Sequence, residues 1–271
     1  MIALKKIITL FITCLTLFFS KNIYSQHIHS YSSIEYIENQ GQWDAPFEFK
    51  GMGPLGNIFL RKDGFRISMA DAANNAYMHG VKHGQVMGET VLKYHAFDIE
   101  FVNSNPNVSL SPQKLQTKYY NYYLGSNPER WKTGVLGALA VDYTNLYDGI
   151  NAHVYSEEGN IKYEFIVSPN TDADQIQLKY VGTDGLSLQD GNLIIKTSLG
   201  EVKELKPFCF QYINDERKEV VGKFSLKNNI VSFSFPKGYD KNYPLTIDPA
   251  IVFCSFTGST ADNWGFTATY D

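Results

Sequence analysis

Two histidines, His79 and His83, stand four residues apart in HGVKHG. On a helix that spacing brings two imidazoles to one face and offers half of a metal site. Gly80 and Gly84 flank them and argue against a helix, so a flexible polar loop is the expectation for residues 71–91, with His95 as the nearest third ligand. Carboxylates come in pairs at Glu157/Glu158, Glu201/Glu204 and Asp172/Asp174. A glycosidase holds two such groups across a cleft, at roughly 5 or 6.5–9.5 Å depending on mechanism, and spacing along the chain places none of these pairs so. Glu157 and Glu158 fall in a turn pattern, and Asp172/Asp174 lack the ligand spacing of a calcium loop. Serines beside acids in GSTAD and YSEEG lack the strand–turn–helix setting of a nucleophile elbow. With no phosphate loop or dinucleotide fingerprint either, no catalytic residue and no cofactor is assigned.

The densest aromatic stretch is KYYNYYLG (118–125), with Tyr119, Tyr120, Tyr122 and Tyr123. As a strand it sets Tyr119 and Tyr123 on one face and Tyr120 and Tyr122 on the other. Such rings serve either as a carbohydrate platform or as packing at a sheet junction, their hydroxyls reaching partners at the edge; the second reading is favoured. Trp43 and Trp131 read as packing anchors. Cys209 and Cys254 both lie in apolar, strand-like runs. They are candidates for a disulfide if the chain is exported, or for two buried thiols.

The elements that would position these residues are strands. NIFLRKDGFRISM is a hairpin pattern, HAFDIEFV alternates, and IQLKYVG, NLIIKTS, KEVVGKFSL and IVSFSF follow with turns between them. Asp-Gly pairs at Asp63, Asp148, Asp184 and Asp190 punctuate the runs, glycine supplying the positive φ of tight turns. YDGINAHVYSEEGNIKYEFIVSP (147–169) predicts a hairpin with Ile150, Ala152 and Val154 facing a core beside Ile161, Tyr163, Phe165 and Val167. His153 then lies opposite Glu164 on the solvent face. Many short strands with frequent turns define an all-β class, an antiparallel β-sandwich or pair of sandwiches. NSNPNVSLSPQ (103–113) reads as a linker, dividing a β-unit over 26–110 from a main sandwich over 111–252.

Lys5 and Lys6 precede the apolar run IITLFITCLTLFF, and Ser25 offers a small residue before a cut, the pattern of a signal peptide over residues 1–25. No later stretch reaches membrane-spanning length. The expected mature chain is thus secreted or held at the cell surface after cleavage near Ser25–Gln26, with no integral membrane segment. The net charge of −4 becomes more negative once the three leader lysines are gone. That balance excludes nucleic acid as a partner, since phosphates need a basic face.

Several motifs fall in order: IENQGQWD (37–44), YYLGSNPERWKTGV (122–135), the 147–169 hairpin, IQLKYVG, GEVKELKPFCFQ and YPLTIDPAIVF. The series resembles the uncharacterised domain that precedes SBBP-type β-propeller repeats in large exported proteins, many of them similar to gliding-motility-associated surface proteins delivered by type IX secretion. The resemblance covers residues 34–252. The tail FCSFTGSTADNWGFTATYD (253–271) resembles the start of a first repeat, with Gly258, Asp262 and Asp271 in place and Ser259 where a second glycine stands in the pattern.

The resemblance implies a non-enzymatic module serving as a scaffold, an adhesion unit or a cap for a propeller. Its partners would be the downstream repeats of the same polypeptide, and surface glycans or cell-envelope proteins. A carbohydrate-binding module using the tyrosine strand is the alternative, and a polysaccharide-active enzyme the third.

Overall fold

The computed structural model describes residues 33–53, 56–84 and 88–254. The signal peptide expected over residues 1–25 and the expected repeat-like tail from residue 255 lie outside the described residues. The described residues are all-β: strands make up 61% of them and helix 6%, in a large antiparallel sheet nearly closed into a barrel.

Among the described residues seventeen strands build two walls. In the first, β1 (Tyr36–Glu38), β2 (Phe49–Gly53), β3 (Gly56–Arg61), β4 (Gly64–Ala70) and β5 (Tyr94–Phe101) pair in chain order. β5 then takes β10 (Gln177–Val181), followed by β16 (Ile230–Ser234) and β15 (Lys223–Lys227). In the second, β8 (Ile150–Glu157) pairs with β9 (Asn160–Val167), β9 with β17 (Leu245–Cys254), and β17 with β13 (Gly200–Ile213). Beyond β13 lie β12 (Asn192–Thr197) with β11 (Gly185–Gln189) along its first half, and β14 (Glu216–Val220) along its second.

The walls join through β7 (Lys132–Tyr147), which takes β1 at Gly137–Ala138 and β8 from Ala140 onward on one edge. Its other edge takes β6 (Ser109–Tyr122).

The expected division at 105–115 does not separate two cores. β1 pairs with β7 and β5 with β10, so strands from both sides of residue 110 share one wall, and one buried cluster runs from Ile34 to Ile251. Edge-to-face aromatic contacts lock the walls together: Phe65 of β4 meets Tyr163 of β9 at 5.5 Å, and Phe101 of β5 meets Phe165 of β9 at 6.2 Å. Such pairs add roughly 0.5–1.5 kcal/mol each beyond the area they bury.

The hairpins form where alternation and turn residues place them. Ile150, Ala152, Val154, Ile161, Tyr163, Phe165 and Val167 are all buried. Glu158 at φ 51° and Gly159 at φ 77° make the reversal between β8 and β9, the positive-φ pair a two-residue hairpin needs. Gly64 opens β4 at φ 150°, and the Ile99 carbonyl oxygen lies 2.1 Å from where a Cβ would stand, leaving no room for a side chain.

Residues 71–91 depart from the loop expectation. An α-helix, α1 (Ala72–Lys82), spans the first half. Asp71 caps it by accepting from Ala73 N at 2.9 Å. The buried Asn74 side chain donates to Lys93 O at 2.7 Å and accepts from Lys93 N at 3.0 Å, pinning the first turn to the strand that follows. Gly84, at φ 70°, donates to Val81 O and closes the far end. Capping at both ends and one buried anchor outweigh the helix-weakening Gly80.

Candidate functional site

Three constellations carry chemistry: an aromatic arm, a polar row on one sheet face, and a buried acid.

The arm is β6 with the facing part of β7. Over its 14 residues β6 buries none, and its outer edge pairs with no strand among the described residues. That edge is interrupted by Pro112, by Lys114 at φ 54°, and by register shifts between Leu115 and Tyr119 and between Tyr120 and Tyr122. These are the devices that keep a long edge from templating an added strand.

The four tyrosines divide as the alternation predicts. Tyr119 and Tyr123 are exposed, at 60% and 61%, beside exposed Leu136 and Trp131; Tyr123 meets Trp131 edge-on at 5.7 Å. Tyr120 and Tyr122 are half-buried and stack at 6.4 Å. Tyr120 donates a short hydrogen bond to Glu35 and lies under the Lys118 ammonium, 4.9 Å from its ring centre. Tyr122 meets Trp43 at 5.0 Å.

Trp43 is held there by a loop built on Asn39. The Asn39 amide donates to the carbonyls of Trp43, Ala45 and Phe47 and accepts from Gly41 N and Trp43 N. The fully buried Gln42 accepts from Gln40 N and donates to Glu38 O. The two tryptophans therefore differ: Trp43 is a packing anchor, whereas Trp131 is 42% exposed with its indole N–H on Gly125 O at 3.2 Å.

The polar row crosses four strands. In register, Asp142 of β7 lies opposite His153 of β8, and His153 opposite Glu164 of β9. The hydrogen bond of His153 Nδ1 goes to Asp142, in a short contact. Lys162 reaches Glu157 at 3.0 Å and Asp248 of β17 at 3.1 Å. Burial alone would lower Lys162, but Glu157 and Asp248 hold it above its ordinary value. Burial, then the neighbouring acids, raise Glu164, and burial raises Asp248, whose Oδ1 is buried without a partner. Among the described residues no group of three or more potential ligands is arranged to hold a metal.

The third constellation lies inside. Glu204 of β13 is fully buried between the walls and accepts hydrogen bonds from Tyr163 of β9, in a short contact, and from Tyr180 of β10 at 2.5 Å. Burial pushes its carboxyl up to about 7 against the opposing pull of the two hydroxyls. The pair Glu201/Glu204 noted in the sequence is thereby split, Glu201 standing exposed. Alternation could have found this, since Glu204 shares the core face of β13 with Val202.

The remaining candidates are placed on separate elements. His79 belongs to α1 and His83 to the turn after it, while His95 on β5 bonds Ser198, its Nδ1 2.9 Å from the hydroxyl. The disulfide expectation is corrected. Cys209 is a free buried thiol opposite Ile247, whereas Cys254 pairs with Glu201, eight residues back along β13. At about 3.3 Å per residue the two backbones are far beyond the ~7 Å that a bridge allows. Asp172 and Asp174 make a turn, Asp172 accepting from Asp174 N to cap the 3₁₀ segment Ala173–Gln175.

Taken together, these features define a two-walled antiparallel β-module with a protruding aromatic arm. Residues 36–250 match the family described as Domain of unknown function (DUF7948), and the chain belongs to that family. No curated protein and no solved structure matches it. No helix among the described residues is long and apolar enough to cross a membrane.

Proposed function

We propose that the protein is a non-enzymatic, exported surface module that serves as a scaffold for the repeats following it in a longer polypeptide, and that the β6–β7 arm is its contact surface. The observation that carries this reading is the arm itself: a 14-residue strand that buries nothing, with Tyr119 on it and Tyr123, Trp131 and Leu136 on the return into β7 all exposed to solvent. Clustered apolar side chains of this size on a protruding element mark an interaction site. The direction of the chain supports the choice of partner. β17 runs antiparallel to β9 and β9 to β8, so the polypeptide leaves β17 at the end of the sheet where the β8–β9 turn and the start of β7 lie. Cys254, the last described residue, thus stands at the end of the sheet that carries the tyrosines of the arm.

The test is hydrogen exchange on this chain and on a longer version that includes the next repeats. Slower exchange over residues 115–136 in the longer protein, lost on Tyr119→Ser/Leu136→Ser, supports the reading. Unchanged exchange there overturns it.

A second reading, glycan binding by the arm, is favoured by the exposure of Tyr123 and Trp131 at right angles to each other. Tyr120 and Tyr122 are already engaged by Glu35, Lys118 and Trp43, so the exposed pair would carry it. Glycan-array binding abolished by Tyr123→Ala or Trp131→Ala would select this reading over the first.

A further inference from the structure

Glu204 has a use that the surface features do not explain. Its carboxyl lies fully buried at the meeting of three strands, with Tyr163 on β9 and Tyr180 on β10, and both hydroxyls are as buried as the acid. Across the sheet from Glu204, Leu193 of β12 and Ile251 of β17 are apolar and fully buried. The groups bonded to it are thus two phenols and no cation.

Burial without a cation decides the protonation state. A neutral glutamic acid brings one O–H donor and one carbonyl acceptor, so it can donate to one tyrosine oxygen and accept from the other hydroxyl. Both contacts, to Tyr163 and to Tyr180, are then kept with no net charge in the interior. An ionised Glu204 takes both tyrosine hydrogens but leaves a net charge in the interior with nothing to pair it, which is costly.

We propose that Glu204, Tyr163 and Tyr180 form a proton-operated latch between the two walls, closed when the carboxyl carries its proton and loosened when it does not. Tyr180 belongs to the first wall, Tyr163 and Glu204 to the second, so the cluster spans the gap that the aromatic core fills elsewhere. Removing the proton places an unpaired charge at the joint. The upward displacement of the Glu204 carboxyl accords with this.

Thermal or denaturant unfolding of the full chain between pH 4 and 8 tests the latch, comparing the unaltered protein with Glu204→Gln. The amide keeps the shape but cannot ionise. The unaltered protein should lose on the order of a hundredfold in its folding equilibrium constant between pH 4.5 and 7, and Glu204→Gln should lose much less of it over the same range. A slope unchanged in Glu204→Gln overturns the proposal. If that variant does not fold, carbon-13 NMR of glutamate carboxyls in Tyr180→Phe and the unaltered protein replaces it. The expected result is a carboxyl resonance that stays protonated to near neutral pH and shifts its midpoint when the Tyr180 hydroxyl is removed. A glutamate set that is fully ionised by pH 5.5, or a midpoint indifferent to Tyr180→Phe, overturns the latch.

Discussion

Gly222 sits directly against Cys209: a Cβ added to the glycine falls on the Cys209 Sγ, well inside van der Waals contact. The thiol is buried in the core at 1% exposure, and Phe235 lies 3.6 Å from the same added Cβ, so the sulfur cannot yield without disturbing the core. Gly222→Ala should therefore destabilise the fold by about 1–3 kcal/mol through overpacking. In a Cys209→Ala background the same change should cost measurably less, because the obstructing sulfur is gone. Denaturant midpoints of the two single variants and the double variant check this coupling.

The same burial governs the chemistry of Cys209. Burial, reinforced by the charges of Asp248 and Glu219, pushes its thiol up to about 12. The thiolate is the reactive form, so at pH 8 the folded protein should leave Cys209 unmodified by iodoacetamide over hours and label it promptly in denaturant. Peptide mapping of the alkylated protein reads the site directly. Rapid labelling in the folded state would mean that the strand opens locally.

Most of the sheet was legible because period-2 alternation and turn residues are local signals. NIFLRKDGFRISM became β3 and β4, and the 147–169 hairpin took the registers that its alternation implies. The helix at Ala72–Lys82 was hidden because its stability comes from Asp71 capping and from Asn74 bound to Lys93, a contact 19 residues away. The single core was hidden for the same reason: what fuses the two halves is pairing of β1 with β7 and β5 with β10, which no local pattern reports. At the candidate sites, the division of the four tyrosines followed from alternation alone. That Asp142 rather than Glu164 holds the hydrogen bond to His153 did not, because both lie opposite it and only side-chain direction separates them.

Asn39 offers a sharper test of the motif IENQGQWD. Its side chain makes five hydrogen bonds that fold residues 39–47 and seat Trp43 against Tyr122. Asn39→Ala should cost about 1–3 kcal/mol through backbone groups left without partners. Asn39→Asp should be no better, since it keeps the acceptor but turns the donor that three carbonyls share into an anion. Thermal midpoints, with tryptophan fluorescence reporting the environment of Trp43, measure both.

The pH dependence of stability should have two limbs of opposite sign. On the acid side, burial alone would raise Asp98, but the two hydrogen bonds from Arg66 at 2.8 Å and the charges of Arg61 and Arg66 hold it below its ordinary value. A carboxyl lowered in the folded state adds stability above its unfolded pKa, and that contribution is lost as pH falls through the folded value. Asp98→Asn should flatten this limb, removing about 1–3 kcal/mol near neutral pH and little at strongly acid pH. On the other side, Glu204 is raised from 4.5 to about 7 in the folded protein. Its contribution is complete below the unfolded value and drains away as pH rises to about 7, a change on the order of 3 kcal/mol. From these two groups, the midpoint of urea unfolding should peak near pH 4–5 and decline toward neutrality, where most folded proteins are near their best. A stability maximum at pH 7 to 8 in the unaltered protein would contradict the assignment of Glu204 as a buried neutral acid.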